Sequence, residues 1–467
     1  MTRAASEPRH KARPPRAAIV TIVAIVAATL PGVRVARADD SVDAPTISLE
    51  SVLRRAASDP PTVKLAVATL ARYEAERRYA QGKYVPVLTA LGTAGASYDN
   101  RLVLPQLPRI DSTSLTAQGT VTLDFAALDL SREYTIDAAH AAERAAGFGA
   151  DAARRDAMLA AAELYLRASA ARALVADAEL NVVRRSNQLT AISDLTRAGI
   201  RPPVDAQRAE IEAVSARFVL EGRQEDLRAA CAALSAAMGQ SPARLLCPEP
   251  ITMDRFHVSV SPTRARELAA HHRPELRRLS SVAEARREEH SAAIAARLPV
   301  LGVSASGTAS YLDVKTGVGI SGSQFGGTAV GYLRWTGLDP AVWFRGGVTD
   351  AAAAEAQQQL AASTQAITAE AVQAAYALER ARIDLERAAA VLDIARATSE
   401  SQNGRYRSGV ASLLELLDAE SIEQDARQRR IEAERDHAIA VTRLVAACGL
   451  LHQGDPRATL RELTRSE

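Results

Sequence analysis

Aligned on itself at an offset of 213 residues, the 467-residue chain repeats: Pro61 meets Pro274, Pro86 meets Pro299, Val87-Leu88 meets Val300-Leu301 and Ser97-Tyr98 meets Ser310-Tyr311. Asp137-Ala138-Ala139 meets Asp350-Ala351-Ala352 at the same offset. Further on the offset is 210, with Gly199 against Gly409, Asp205 against Glu415 and Gly239 against Gly449. The three-residue change is expected between residues 139 and 199, inside a helix, where it is nearly one turn. Matching alanines would mean little in so Ala-rich a chain, but Pro, Gly and Tyr recur in one order in both halves. Whatever fold this chain adopts is therefore built twice, over about 48–240 and about 263–450.

Both halves follow one plan. A helical stretch (about 48–84; about 263–297) is interrupted near its start by Pro61 or Pro274 and stopped by Pro86 or Pro299, because proline removes a backbone donor and clashes with the preceding turn. Gly/Ser/Thr-rich segments follow, 87–98 with 114–125 and 300–311 with 323–335, alternating weakly as strands do around polar loops at about 99–113 and 312–322. Neither Ala150 to Ala198 nor Val348 to Asn403 contains Gly or Pro, and both are dense in strong helix formers. Some fifty to seventy helical residues span roughly 75–105 Å, wider than a globular core. Gly199, with Pro202-Pro203 behind it, and Gly409 then reverse the chain into returning helices at 204–239 and 411–449. Ala-rich faces with sparse Leu, Ile and Val suit antiparallel coiled-coil packing, the alternative being a pair of solvent-exposed rods.

Four weakly alternating strands rich in small residues cannot make a buried two-layer domain. They can supply part of a membrane barrel, which needs at least about eight strands. Two chains would give eight and three would give twelve, and the spacing does not separate these.

The N-terminus carries an export signal. Residues 1–16 are basic, Ala17 to Leu30 form an uncharged, mostly apolar run, and Ala36-Arg37-Ala38 places small residues before Asp39-Asp40. This reads as a cleaved signal over 1–38 rather than a weak membrane anchor, leaving a mature chain of 39–467. No cysteine follows the run to accept a lipid. Beyond residue 38 no stretch approaches the ~20 apolar residues of a transmembrane helix, so membrane residence would have to come through strands.

Composition excludes other classes. At 47% hydrophobic the chain is no disordered tail. The formal charge of +2 includes seven basic residues and one acid in the leader; removing them from 57 basic and 55 acidic residues leaves 50 against 54, a net −4, which speaks against nucleic acid. Three cysteines make no disulfide framework, and Cys231 and Cys448, inside helices, read as small packing residues. No Ser/His/Asp, metal or nucleotide constellation is present, so neither an enzyme nor a cofactor is expected.

The run RYRSGVASLLELLDAE, Arg405 to Glu420, followed by a helix ending at Ala447-Cys448-Gly449, resembles the most recognisable segment of the TolC-type outer-membrane efflux proteins. The first half carries a degenerate form, Arg197-Ala198-Gly199 leading to Asp205, and the order of helix, proline, strand, loop, strand and long helix fits in both halves. The resemblance implies an α+β membrane protein: long antiparallel helical hairpins forming an α-barrel, and four strands per chain contributing to a shared transmembrane β-barrel. It implies a homotrimer in the outer membrane reaching into the periplasm, a passive exit duct of a tripartite efflux or type I secretion system. A periplasmic adaptor and an inner-membrane pump would be its partners. The competing reading is a periplasmic helical-hairpin adaptor or scaffold.

Candidate residues follow. Glu415 and Asp418 stand at i and i+3 on one helix face and match positions where the family places acids at the periplasmic mouth; three copies would assemble a carboxylate ring favouring cations. Asp205 is the first half's counterpart of Glu415. In the family such an acid pairs with a basic residue after the second glycine, but that position here is Ala411, leaving Arg201 or Arg407 as substitutes. The hairpin tips, Gly199-Ile200 and Gly409-Val410, would dock the adaptor, with Tyr406 packing beside the second tip. Tyr332, Trp335, Trp343 and Phe344 fit either a membrane boundary or a buried strand–helix junction.

Overall fold

The computed structural model describes residues 45–101, 110–241, 245–249, 260–315 and 320–451. The leader 1–38 lies outside the described residues. Helices occur in equal-length pairs: α2 (Pro61–Gly82) and α6 (Pro274–Ala295) have 22 residues each, α3 (Leu130–Arg197) and α7 (Pro340–Arg407) have 68, and α4 (Pro203–Ala237) and α8 (Leu413–Ala447) have 35. Short helices α1 (Leu49–Ala56) and α5 (Pro262–His272) precede α2 and α6. Proline opens α2, α4, α5, α6 and α7 at the first helical position, where no backbone donor is needed and its fixed φ already suits the helix. At ~1.5 Å per residue, each 68-residue helix is about 100 Å long. Among the described residues no helix is long and apolar enough to cross a membrane.

These pairs relocate the three-residue change. The long helices start and end 210 residues apart, whereas α2 and α6 start 213 apart. The change therefore falls in the intervening strand hairpin, and the Asp137-Ala138-Ala139 match is coincidental. Three extra residues inside a helix would rotate everything beyond them by about 60° off its packed face, whereas a hairpin absorbs them at its tip.

Four strands form one antiparallel sheet: β2 (Val87–Arg101), β3 (Ile110–Leu128), β5 (Val300–Lys315) and β6 (Ile320–Arg334), in the order β2-β3-β5-β6. A second, parallel pair joins β1 (Thr46–Ile47) to β4 (Cys247–Pro248). The long strands take in most of the residues expected to be loop, because the ladder continues through polar pairs such as Asp99↔Ser112 and Asp313↔Ser321. Polar side chains do not end a strand whose backbone groups remain paired.

Sheet order and helix order coincide. Each strand runs into its own helix (α2 into β2, β3 into α3, α6 into β5, β6 into α7), and α2 packs on α3, α3 on α6 and α6 on α7. Beyond this four-helix layer the returning helices fill the wall: α4 pairs with α3, α8 with α7, and α3 meets α8. The two apolar cores mirror each other, one around Val52, Met158, Tyr165 and Leu234, the other around Leu268, Leu276, Leu378 and Leu444; Leu451 packs against both. Along the long helices the buried positions are dominated by alanine, which lets the backbones approach closely.

Candidate functional site

The sheet has two chemically distinct faces. Side chains alternate across a strand and directly opposed residues share a face, so the register assigns each rung. Leu88–Leu123–Ala305–Ala329, Ala90–Val121–Gly307–Gly327 and Leu128–Leu301–Leu333 lie on one face. Thr89–Thr122–Ser306–Thr328 and Thr93–Gln118–Ser310–Gln324 lie on the other. The apolar face is uncovered: Leu88 is 67% exposed, Leu333 64% and Phe325 81%. On the polar face hydroxyls bond across strands, as between Ser306 and Thr328 (2.9 Å) and between Ser97 and Ser114 (2.6 Å). The apolar band runs from the Leu301 rung to Tyr311, beyond which Asp313 and Lys315 appear on the same face. Ten residues at ~3.4 Å, tilted by ~40°, give a band about 26 Å high, the height of the lipid-facing belt of an outer-membrane barrel. The alternation that looks weak along each strand is clear once the rungs are aligned.

Where β6 enters α7, the aromatic cluster is half exposed rather than buried. Trp335 Nε1 donates to the Arg297 carbonyl (3.0 Å), Trp343 Nε1 donates to the Gly337 carbonyl (2.8 Å), and the Arg297 guanidinium lies 4.8 Å from the Trp343 ring centroid. Each indole thus keeps its apolar body exposed and its N–H satisfied, as aromatic side chains do at membrane–water boundaries.

At the opposite ends of the long helices stand the two hairpin tips. Gly199 and Gly409 have φ of +74° and +78°, a left-handed conformation that closes each helix without a Cβ penalty. Ile200 N–H donates to Leu195 O (3.0 Å) and Val410 N–H to Arg405 O (2.9 Å), so both helices end in the same turn. That turn leaves Ile200 67% and Val410 69% exposed.

The acids beside the tips differ in what holds them. Glu415 and Asp205 both occupy the third position of a helix, in α8 and α4. The Glu415 carboxylate accepts from Ser412 N–H (3.1 Å) while Glu415 N–H donates to Ser412 Oγ (3.3 Å), a complete capping box. In α4 Pro202 stands at the cap, and no side chain caps the helix. Asp418 is exposed one turn further along.

Arg201 supplies the cross-tip contact. Its guanidinium lies 4.4 Å from the Tyr406 ring centroid and donates to the Tyr406 carbonyl (3.1 Å), tying the first tip to the end of α7. Tyr406 is buried with Ile192, Ala209, Ala411, Leu413 and Leu416. Burial pushes its hydroxyl pKa up, against the opposing charge of Arg201. Ala411 fills an apolar position in this cluster, and a cation there would be desolvated.

Sequence reasoning missed the polar layer farther along the α3–α8 boundary. Arg185 pairs with Glu420, both nearly fully buried. Arg184 approaches Glu423 (4.0 Å), Gln424 donates to the Asp177 carboxylate, and Arg223 on α4 donates to Gln428 (3.3 Å). Farther still, Arg443 pairs with Glu163 (2.7 Å). Nothing in the spacing of these residues shows that α3 faces α8. Cys231 is also corrected: rather than a lone packing residue, it is bonded to Cys247, holding β4 against α4, whereas Cys448 is the free, buried thiol. Without a fold, three cysteines allow several pairings.

No family model matches the chain, and no curated protein matches it. Solved structures do. A membrane protein from Pseudomonas aeruginosa is 20% identical, with a TM-score of 0.72 over 88% of this chain and 94% of that one. CusC, studied for its folding and transmembrane channel formation, is 16% identical, with a TM-score of 0.72 over 86% and 92%. The open-state MtrE outer membrane channel of Neisseria gonorrhoeae is 18% identical, with a TM-score of 0.66 over 86% and 88%. The likeness spans nearly the whole of both chains in each case: this chain has the TolC-type α+β fold.

Proposed function

We propose that this protein is the outer-membrane exit duct of a tripartite export system, exported through a signal cleaved after Ala38. The observation that carries the reading is the sheet: one face apolar over a membrane-height band, the other lined by hydroxyls, and both edge strands without a partner among the described residues. Long uncovered edges are strongly disfavoured in a soluble protein. Further copies of the chain would remove both edges by pairing β6 of one with β2 of the next, and three copies would close twelve strands into a barrel with the hydroxyl face inward. The helices would continue the same wall into the periplasm as an α-barrel. A soluble adaptor has no use for such an apolar face.

In this reading the conduit is passive and energy comes from an inner-membrane pump. Ile200 and Val410 present apolar side chains to the tips of a periplasmic adaptor. Asp418, Glu415 and Asp205 supply the acidic mouth, which favours cations over anions. The test is single-channel conductance in a planar bilayer, comparing the unsubstituted protein with Glu415→Ala/Asp418→Ala. Cation-selective steps that lose selectivity in the double variant support the duct and its mouth. Unchanged selectivity removes the mouth assignment, and failure to insert, with the protein recovered from soluble periplasm, refutes the duct.

A further inference from the structure

Two hollows of about 580 and 620 Å³ run into each other between α7 and α8, sharing Ala377, Ala381 and Asp436. The floor of this groove is small and apolar, built largely of alanines such as Ala374, Ala433 and Ala440. Arginines line the rest: Arg167, Arg435 and Arg443 in one hollow, Arg380, Arg387 and Arg429 in the other. Carboxylates do not match them in number. Arg167 and Arg443 share Glu163, Arg380 and Arg387 share Asp384, and Arg435 holds Asp436. Among the described residues Arg429 pairs with no acid. Counting Glu432 and Glu163, four carboxylates stand against six guanidiniums, a net +2 per chain (6 − 4).

The fold does not demand this set. Subtracting 210 places Ala170, Val219, Glu225 and Ala233 where the second repeat has Arg380, Arg429, Arg435 and Arg443, in helices of identical length. Arg167 and Arg443 have a structural use, since Glu163 joins them across the α3–α8 boundary. Arg429 and Arg435 make no ion pair to another helix among the described residues.

The groove opens away from the covered side of the helical wall. Met158 and Tyr165 of α3 pack against α1, and Arg172 donates to the Pro248 carbonyl of β4 (2.7 Å). Arg167 follows Tyr165 by two residues, about 200° round the helix, and projects from the opposite face. In the duct proposed above, the layer of α1, α5 and the β1–β4 pair stands outside the wall, where it does not obstruct the passage, and the groove faces the bore. Arg429 and Arg443 lie about 20 and 40 Å along α8 from Glu415. Salt screens charges beyond about 8–10 Å, so the acidic mouth does not cancel the groove.

We propose that this groove binds amphiphilic organic anions inside the duct, with the apolar body over the alanines and the carboxylate, sulfonate or phosphate group on Arg429 and Arg435. The assignment rests on the duct reading. A guanidinium offers five donors in a planar fork that matches such oxyanions, and it stays charged at any working pH. The alanine floor takes the apolar body, and a charged cleft with low-dielectric walls concentrates ions of opposite sign.

The test is single-channel recording in a planar bilayer with 2-naphthalenesulfonate, set beside the neutral, size-matched 2-naphthalenemethanol. The sulfonate is expected to interrupt the current at concentrations where the alcohol does not. Arg429→Gln/Arg435→Gln is expected to raise its half-blocking concentration about tenfold or more, from the loss of two charge-assisted hydrogen bonds. Arg382→Gln/Arg396→Gln removes the same charge from exposed α7 residues that do not line the groove, and is expected to change it less than about twofold. Equal block by both probes overturns the site, as does sulfonate block that survives the first variant or weakens equally in the second. Absence of channels refutes the duct and removes the site with it.

Discussion

Placing a lysine at Val121 and, separately, at its neighbour Thr120 tests the assignment of the sheet's two faces. Val121 shares its rung with Gly307, six residues along β5 from the Leu301 rung where the apolar band begins. At ~3.4 Å per residue and a tilt of ~40°, that is about 16 Å into a band about 26 Å high, close to the midplane. A lysine on the lipid face at that depth costs about 2–4 kcal/mol per chain, or about 30- to 700-fold in the folding equilibrium. Thr120 points to the hydroxyl face, where a lysine meets water and is expected to cost within about 0.5 kcal/mol of nothing. The assay is urea-dependent folding into lipid vesicles, with the folded fraction read from gel mobility before boiling. Equal costs, or a larger cost for Thr120→Lys, would show that the faces are reversed or that the sheet does not meet lipid, and the duct reading would fail with them.

Other outcomes follow from the helical part. Glu420→Ala strands the buried Arg185 guanidinium and is expected to destabilise by about 3–5 kcal/mol, whereas the double change Arg185→Met/Glu420→Leu recovers most of that loss; urea midpoints decide it. Burial raises the Asp177 pKa, against the opposing effects of the Gln424 hydrogen bond, Arg427 and Arg184. An acid raised in the folded state contributes its stability below its ordinary value of about 4 and loses it as pH rises through the raised value. Asp177→Asn is therefore expected to gain on the unsubstituted protein as pH climbs through that window, and a constant difference across pH would refute the assignment. Burial pushes the Cys448 thiol up to about 11, so alkylation at pH 8 is expected to label nothing in the native protein, one thiol after unfolding and three after reduction.

How much of this was legible in the sequence depended on whether a feature is local. Helix lengths, the glycine reversals and the pairing of strands into hairpins were readable because proline, glycine and helix propensity act within a few residues. The faces of the sheet were half readable. Each strand interrupts its own alternation, as Val87 and Leu91 do on the hydroxyl face, and only alignment of four strands averages the interruptions away. The capping role of Glu415 is written in Ser412-x-x-Glu415, the spacing of a capping box, alongside its position as a mouth acid. A carboxylate at a helix N-terminus can serve both ends, because capping orients the group without removing its charge.

The missed contacts are those between elements far apart in the chain, and the duplication shows how they could have been suspected. Two repeats under one structural demand keep the residues that both need, such as the glycines at 199 and 409 and the acids at 205 and 415. Where one repeat carries Arg184-Arg185 and the other Ile394-Ala395, or one Gln424 and Gln428 and the other Val214 and Phe218, the demand itself must differ. The environments do differ: α3 packs against α8 within the chain, and among the described residues α4 and α7 do not pack against each other in the same way. The polar members are joined within the chain, whereas among their counterparts Ile394, Phe218 and Val214 are exposed and Ala395 is buried. Fixed pairs can hold two hairpins that fold together from one chain.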